Sequence, residues 1–172
     1  MDIMAKNLPV IGNSTFIEVI AHATKVPAKI DTGADSSSIW ATDVHIDEDD
    51  ILSFKLFGES SPFYTGETIT RQAYKVALVR SSSGHEQIRY RTELPVRING
   101  RRIRVLFNLS NRSNNMFPIL IGRRTLAGKF IVDVSHREYN SPLAKVNRGL
   151  NEEMRKDPYL FYKKYYINPD QK

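Results

Sequence analysis

The chain has 172 residues, 41% of them apolar and 26% charged, with a formal net charge of +6. That balance excludes wholesale disorder and fits one domain, or one domain with a modest appendage. With no cysteine, disulfides, thiolate metal sites and cysteine nucleophiles are all excluded, and no apolar run is long enough to span a membrane.

The N-terminus, MDIMAKNLPV, lacks the apolar core of a signal peptide, so a soluble, cytoplasmic protein is expected. VIGNSTFIEVIA (10–21) has a Gly-Asn turn followed by a strand, and VPAKIDT (26–32) is an apolar strand ending at an acidic turn. The acidic cluster of 43–53 reads as a polar loop. Beyond it ILSFKLFG alternates, with Leu52, Phe54 and Leu56 opposite Ile51, Ser53 and Lys55, which predicts a half-buried strand. AYKVALVR, SSSGHEQ and IRYRTEL form a long hairpin with a Ser/Gly-rich tip. A second hairpin lies in LPVRINGRRIRVLFNLS, turning at Asn99-Gly100. FPILIGRRTLAGKFIVDVS gives an apolar strand, a glycine, a short polar turn or helix, and a last strand. Short strands with almost no helical periodicity predict an all-β barrel or folded sandwich over residues 1–144. Residues 145–172 form a C-terminal extension whose NEEMRKD stretch predicts a short helix stopped by Pro158. Its clustered aromatics, Tyr159 to Tyr166, fit packing onto a neighbour better than cofactor binding.

Positive charge concentrates in residues 89–104 and in the tail from Lys145 onward. Such a face is either simply solvated or serves to attract an acidic peptide or a nucleic acid. Arg89, Arg91 and Arg97 are candidates for lining an acidic-substrate groove. The four histidines, His22, His45, His85 and His136, show no metal-ligand spacing, so neither a metal nor a cofactor is expected.

The chemistry centres on KIDTGAD (29–35). Asp and Gly are common in turns, so Asp-Thr-Gly alone is weak evidence for a catalytic carboxylate. A strand-end aspartate can, however, face a second one across a symmetry axis and share one proton with it. One carboxylate then acts as general base on a water while its protonated mate polarises the scissile carbonyl.

VPAKIDTGADSSSIW resembles the active-site segment of retropepsin-like aspartic proteases. Their second hallmark, two apolar residues, Gly-Arg and a short helix, is matched by ILIGRRTL (119–126). With ETITRQAYKV and LPVRINGRRIRVLFNLSNRSNNMFPILIGRRTLAGKFIVDVS, most of residues 8–139 is similar to the RimK-associated family long labelled "ATP-dependent zinc protease". The resemblance implies a retropepsin-like closed β-barrel subunit and peptidase activity on acidic or polyglutamylated peptides or tails. Where many members carry Arg after D-T-G-A and a histidine downstream, this chain has Asp35 and Trp40.

The resemblance implies roles for single residues. Asp31 is one half of a catalytic dyad, Thr32 interlocks beneath it with its symmetry mate, and Gly33 places its carbonyl near substrate. Ala34 and Asp35 belong to the substrate-binding segment. Arg123, following Gly122, is expected to brace the site through an ion pair with Asp35, and Arg124 is expected to be exposed. Ser82, Ser83 and Gly84, between Ser81 and His85, form either a flap over the substrate or a plain hairpin tip.

Asp-Thr-Gly occurs once. Asp133 follows an apolar strand without a glycine after it and reads as structural. A dyad therefore requires a homodimer contributing one Asp31 from each subunit. The competing readings are a catalytically silent peptide-binding module of the same fold and, less favoured, a nucleic-acid-binding β-barrel. Pepsin-like enzymes usually have Ser or Thr at the Ala34 position, a hydroxyl donor that lowers the carboxyl pKa. Its loss predicts a pH–rate profile peaking nearer neutrality than pepsin's; a peak below about pH 3 would contradict this.

Overall fold

The computed structural model describes residues 7–80, 86–140 and 143–167, which divide into two compact units, 1–139 and 140–172. The first unit is built of strands: β1 (Val10–Gly12), β2 (Ser14–Val19), β3 (Ala23–Asp31), β4 (Ser37–Ile46), β5 (Leu52–Leu56), β6 (Thr68–Arg71), β7 (Lys75–Arg80), β8 (Glu86–Ile98), β9 (Arg101–Ser110), β10 (Ile119–Gly122) and β11 (Ile131–Asp133). One turn of helix, α1 (Arg123–Leu126), follows β10.

Six of these strands close a barrel in the order β10–β3–β2–β8–β9–β4, with β4 returning to pair with β10. Closure removes the exposed edges that an open sheet would present. The far half of β4 leaves the ring and carries β5 and β6, while β7 pairs with the outer half of β8. The expected all-β barrel is thus present. Its interior is filled by alternate residues such as Val105, Phe107 and Leu109 of β9 and Leu94, Val96 and Ile98 of β8, all buried. The alternating β5 stretch buries Leu52, Phe54 and Leu56 as its pattern requires.

The Asn99-Gly100 turn joins β8 to β9 with both residues at positive φ, 44° and 76°, as a two-residue hairpin turn of this type demands. Strand β8 is longer than its sequence suggests, because it runs straight through Pro95. The proline sits where one edge of β8 changes partner, between the β7 pairing that ends at Arg91 and the β2 pairing that begins at Val96. Its missing N–H falls in that gap, so no ladder hydrogen bond is lost.

In the second unit, α2 (Leu143–Lys156) stops before Asp157. Asp157 caps the next helix, α3 (Pro158–Tyr162), by accepting from the Leu160 N–H at 2.9 Å, with Pro158 at the first helical position where its absent N–H is harmless. The chain widens to π geometry over Lys163–Ile167, and the aromatics pair among themselves, Phe161 on Tyr165 and Tyr162 stacked on Tyr166. Among the described residues no helix is long and apolar enough to cross a membrane.

Candidate active site

Strand β3 ends on Asp31, opposite Gly122 of the parallel strand β10. Ile30 and Ala28 point into the barrel, so the alternation puts Lys29 and Asp31 on the outward face, with Asp31 partly covered. The Asp31 carboxylate is held at both oxygens. Oδ1 accepts the backbone N–H groups of Gly33 and Ala34, each at 3.2 Å. Oδ2 lies 3.1 Å from the Lys29 ammonium. Burial pushes the carboxyl pKa upward, but the Lys29 hydrogen bond and charge, joined by the two amides, outweigh it and hold Asp31 below its ordinary value. Lys29 thus supplies the stabilisation that a hydroxyl at position 34 would otherwise give. Within the subunit the shift runs opposite to the one expected from Ala34 alone.

The loop after Asp31 is stitched to the end of β10 and to α1. The Arg123 N–H donates to Ala34 O at 2.8 Å and the Arg124 N–H to Asp35 O at 3.2 Å. The Gly122 N–H donates to Ser37 Oγ, which shares a further hydrogen bond with Thr125 Oγ1. The approach is so close that a Cβ on Gly122 would lie 2.5 Å from Ser36 O and 2.8 Å from Ala34 O. Only glycine fits there. Asp35 and Arg123 pair at 2.5 Å, as expected, while Arg124 stands 3.8 Å from the same carboxylate with a largely exposed side chain. Both partners of the Asp35–Arg123 bridge are more than half exposed, at 53% and 62%, so the bridge orients the loop more than it stabilises the fold.

Thr32 and Gly33 are exposed in the subunit. Gly33 has no left-handed backbone, and a Cβ there would meet Asp31 Oδ1 at an ordinary 3.5 Å. Among the described residues nothing within one subunit calls for a glycine at 33. Ser82, Ser83 and Gly84, with Ser81 and His85, lie outside the described residues. Asp133 accepts the N–H and hydroxyl of Ser135 at the end of β11, a local turn.

Beside the Asp31 loop lies a groove of about 570 Å³ lined by Ala34, Asp35, Ser36, Arg89, Arg91 and Arg112 among others. Arg97 is not part of it and pairs instead with Glu18 at 2.8 Å. Arg112 went unnoticed in the sequence because it sits in a loop beyond β9. Burial, reinforced by the charge of Arg89, lowers its pKa, while the field of Asp31 acts the other way. Its Nε is fixed on Phe117 O at 3.0 Å. Asn108, only 2% exposed, also lines the groove, donating to Ser36 Oγ and Ser37 O while its Oδ1 lacks a hydrogen-bond partner among the described residues. A groove lined by several guanidinium groups, of which Arg112 is anchored on Phe117 O and Arg89 on Gln87 Oε1, suits an anionic ligand. Among the described residues, no group of three or more His, Asp or Glu could hold a metal ion.

A family model described as "RimB-like: Retropepsin-like aspartic endopeptidase RimB" matches residues 10–142. A "Probable alpha-L-glutamate ligase" from Desulfotalea psychrophila is 26% identical over 111 residues, 63% of this chain and 24% of that protein. The chain therefore spans about a quarter of the length of this curated relative. A crystal structure of a Legionella pneumophila protein of unknown function superposes with a TM-score of 0.54 at 20% identity, covering 74% of this chain and 95% of that one. That likeness concerns the fold alone.

Two outcomes follow from the loop geometry. Gly122→Ala, which must push apart two backbone segments, is expected to cost roughly 2–4 kcal/mol in urea-induced unfolding, in the range of overpacking and strain; a loss within about 0.5 kcal/mol would contradict the contact. Arg123→Met is expected to lower stability by less than about 1 kcal/mol, as for an exposed pair.

Proposed function

The chain belongs to the RimB-like family of retropepsin-like aspartic endopeptidases, and from that premise we propose that it hydrolyses peptide bonds as a homodimer, with acidic, glutamate-rich peptides or tails as substrates. Each subunit contributes Asp31, and the two carboxylates share one proton. The ionised member takes a proton from a water whose oxygen adds to the scissile carbonyl carbon. The protonated member donates a hydrogen bond to the carbonyl oxygen. Collapse of the tetrahedral adduct breaks the C–N bond as a proton passes to the leaving nitrogen, so water is consumed and two peptides leave.

The observation that carries this reading is the fixing of Asp31. Its Oδ1 is pinned by the Gly33 and Ala34 amides in a loop that Gly122, Arg123 and Arg124 hold from below. Two amides on one carboxylate oxygen also occur in the ordinary turn at Asp47. What sets Asp31 apart is that its loop is braced by the end of β10 and by α1, the preorganisation a reacting carboxylate needs. The exposure of Thr32 and Gly33 is consistent with their meeting a second subunit and a substrate. The preference for acidic peptides rests on Arg89, Arg91 and Arg112 in the adjoining groove. A peptide lying along such a groove keeps its negative charges near these guanidinium groups.

Asp31→Asn tests the assignment. Hydrolysis of a glutamate-rich peptide is expected to fall by at least about 10²–10⁴-fold, the usual scale for losing a general base, while circular dichroism and sedimentation remain those of the unaltered protein. Retained cleavage in the Asn variant would overturn the reading.

A further inference from the structure

The two oxygens of Asp31 are held by partners of different kinds. Oδ1 is tied to two backbone amides that cannot leave without opening the loop. Oδ2 is tied at 3.1 Å to Lys29, whose side chain is half exposed, at 50%. An ammonium on a flexible stem, paired in partial contact with water, is a weakly held partner that another anion can draw off. Yet an oxygen facing a dyad must be free to hold the water or the shared proton. Lys29 occupies one of the two carboxylate oxygens.

We propose that Lys29 is a displaceable counter-ion of Asp31, captured by a carboxylate side chain of the substrate so that the aspartate is released for catalysis as an acidic peptide binds. This inference rests on the aspartic-peptidase reading above, and it makes Lys29 a specificity-determining residue. A substrate with Glu beside the scissile bond exchanges one carboxylate for another at the ammonium, and the site loses no ion pair. A substrate with Gln must either leave Lys29 on Asp31 or separate the two charges uncompensated. Discrimination thus arises at the reacting carboxylate itself, beyond the attraction supplied by the groove. The other cation whose field reaches Asp31, Arg112, is anchored on Phe117 O and more deeply buried, so it remains in place while Lys29 moves.

The test uses the full chain and two peptides that differ only in Glu or Gln on both sides of the scissile bond. The ratio of kcat/KM for Glu over Gln is expected to be roughly ten- to a hundredfold, the scale of one charge-assisted hydrogen bond. In Lys29→Met it should collapse toward unity, chiefly through faster cleavage of the Gln peptide and a higher KM for the Glu peptide. Lys29→Arg should keep most of the discrimination. The second readout needs no turnover: the Asp31 carboxyl titration followed by carbon-13 NMR. An ammonium beside the carboxylate holds its pKa down, so Lys29→Met should raise it. Tri-glutamate should raise it in the unaltered protein but not in Lys29→Met, and tri-glutamine should raise it in neither.

A Glu/Gln ratio that survives Lys29→Met would overturn the proposal, as would an Asp31 titration indifferent to tri-glutamate. Failure to cleave either peptide, with the tri-glutamate response intact, would count against the peptidase reading while supporting the capture of Lys29.

Discussion

Where β10 ends, its backbone at Gly122 passes against the carbonyls of Ala34 and Ser36 so closely that no side chain could stand between them. The rest of the site depends on that crossing. It brings the N–H groups of Arg123 and Arg124 onto the loop carbonyls, sets the Arg123 guanidinium beside Asp35, and fixes the direction in which Asp31 leaves β3. The barrel exists in part to make the crossing possible: β10 lies between β3 and β4, the strands that enter and leave the loop, and pairs with both. Closing the ring and fixing the aspartate are therefore the same structural event.

Charge is the second constraint. A carboxylate confined by two amides would be expected to repel further negative charge, yet the adjoining groove is lined by arginines and the carboxylate itself is paired with Lys29. Ala34 removes a hydroxyl donor, and the ammonium two residues before Asp31 reverses the consequence within the subunit, holding the carboxyl below its ordinary value. A neutral donor at position 34 would be permanent, whereas a lysine can leave. That difference places control of the aspartate in the hands of whatever anion approaches.

The parts of this arrangement that were legible in the sequence are those with strict steric or turn requirements. Asn99-Gly100 fixes a hairpin by its φ angles, and the glycine of ILIGRRTL stands where a backbone must be touched. The alternation of β5 marks its part of the core directly. Residues whose importance comes from long-range placement stayed hidden. Arg112 and Asn108 reach the groove only because β9 pairs with β4 and carries the following loop past Asp31. Lys29 was visible as a neighbour of the aspartate, and strand periodicity puts it on the same face, but nothing local says that its ammonium would settle on Oδ2. Pro95 shows the converse. It looks like a strand break, and the switch of partners along β8 makes it harmless.

The central claim is that one reacting centre is made from two copies of Asp31. Co-refolding the unaltered chain with increasing fractions of the Asp31→Asn chain, then measuring peptide hydrolysis, tests it most directly. If the dyad is shared, mixed dimers are inactive and activity follows the square of the unaltered fraction, about a quarter at equal mixing for random pairing. A straight-line fall, with about half the activity left at equal mixing, would mean that each subunit works alone and would contradict the account.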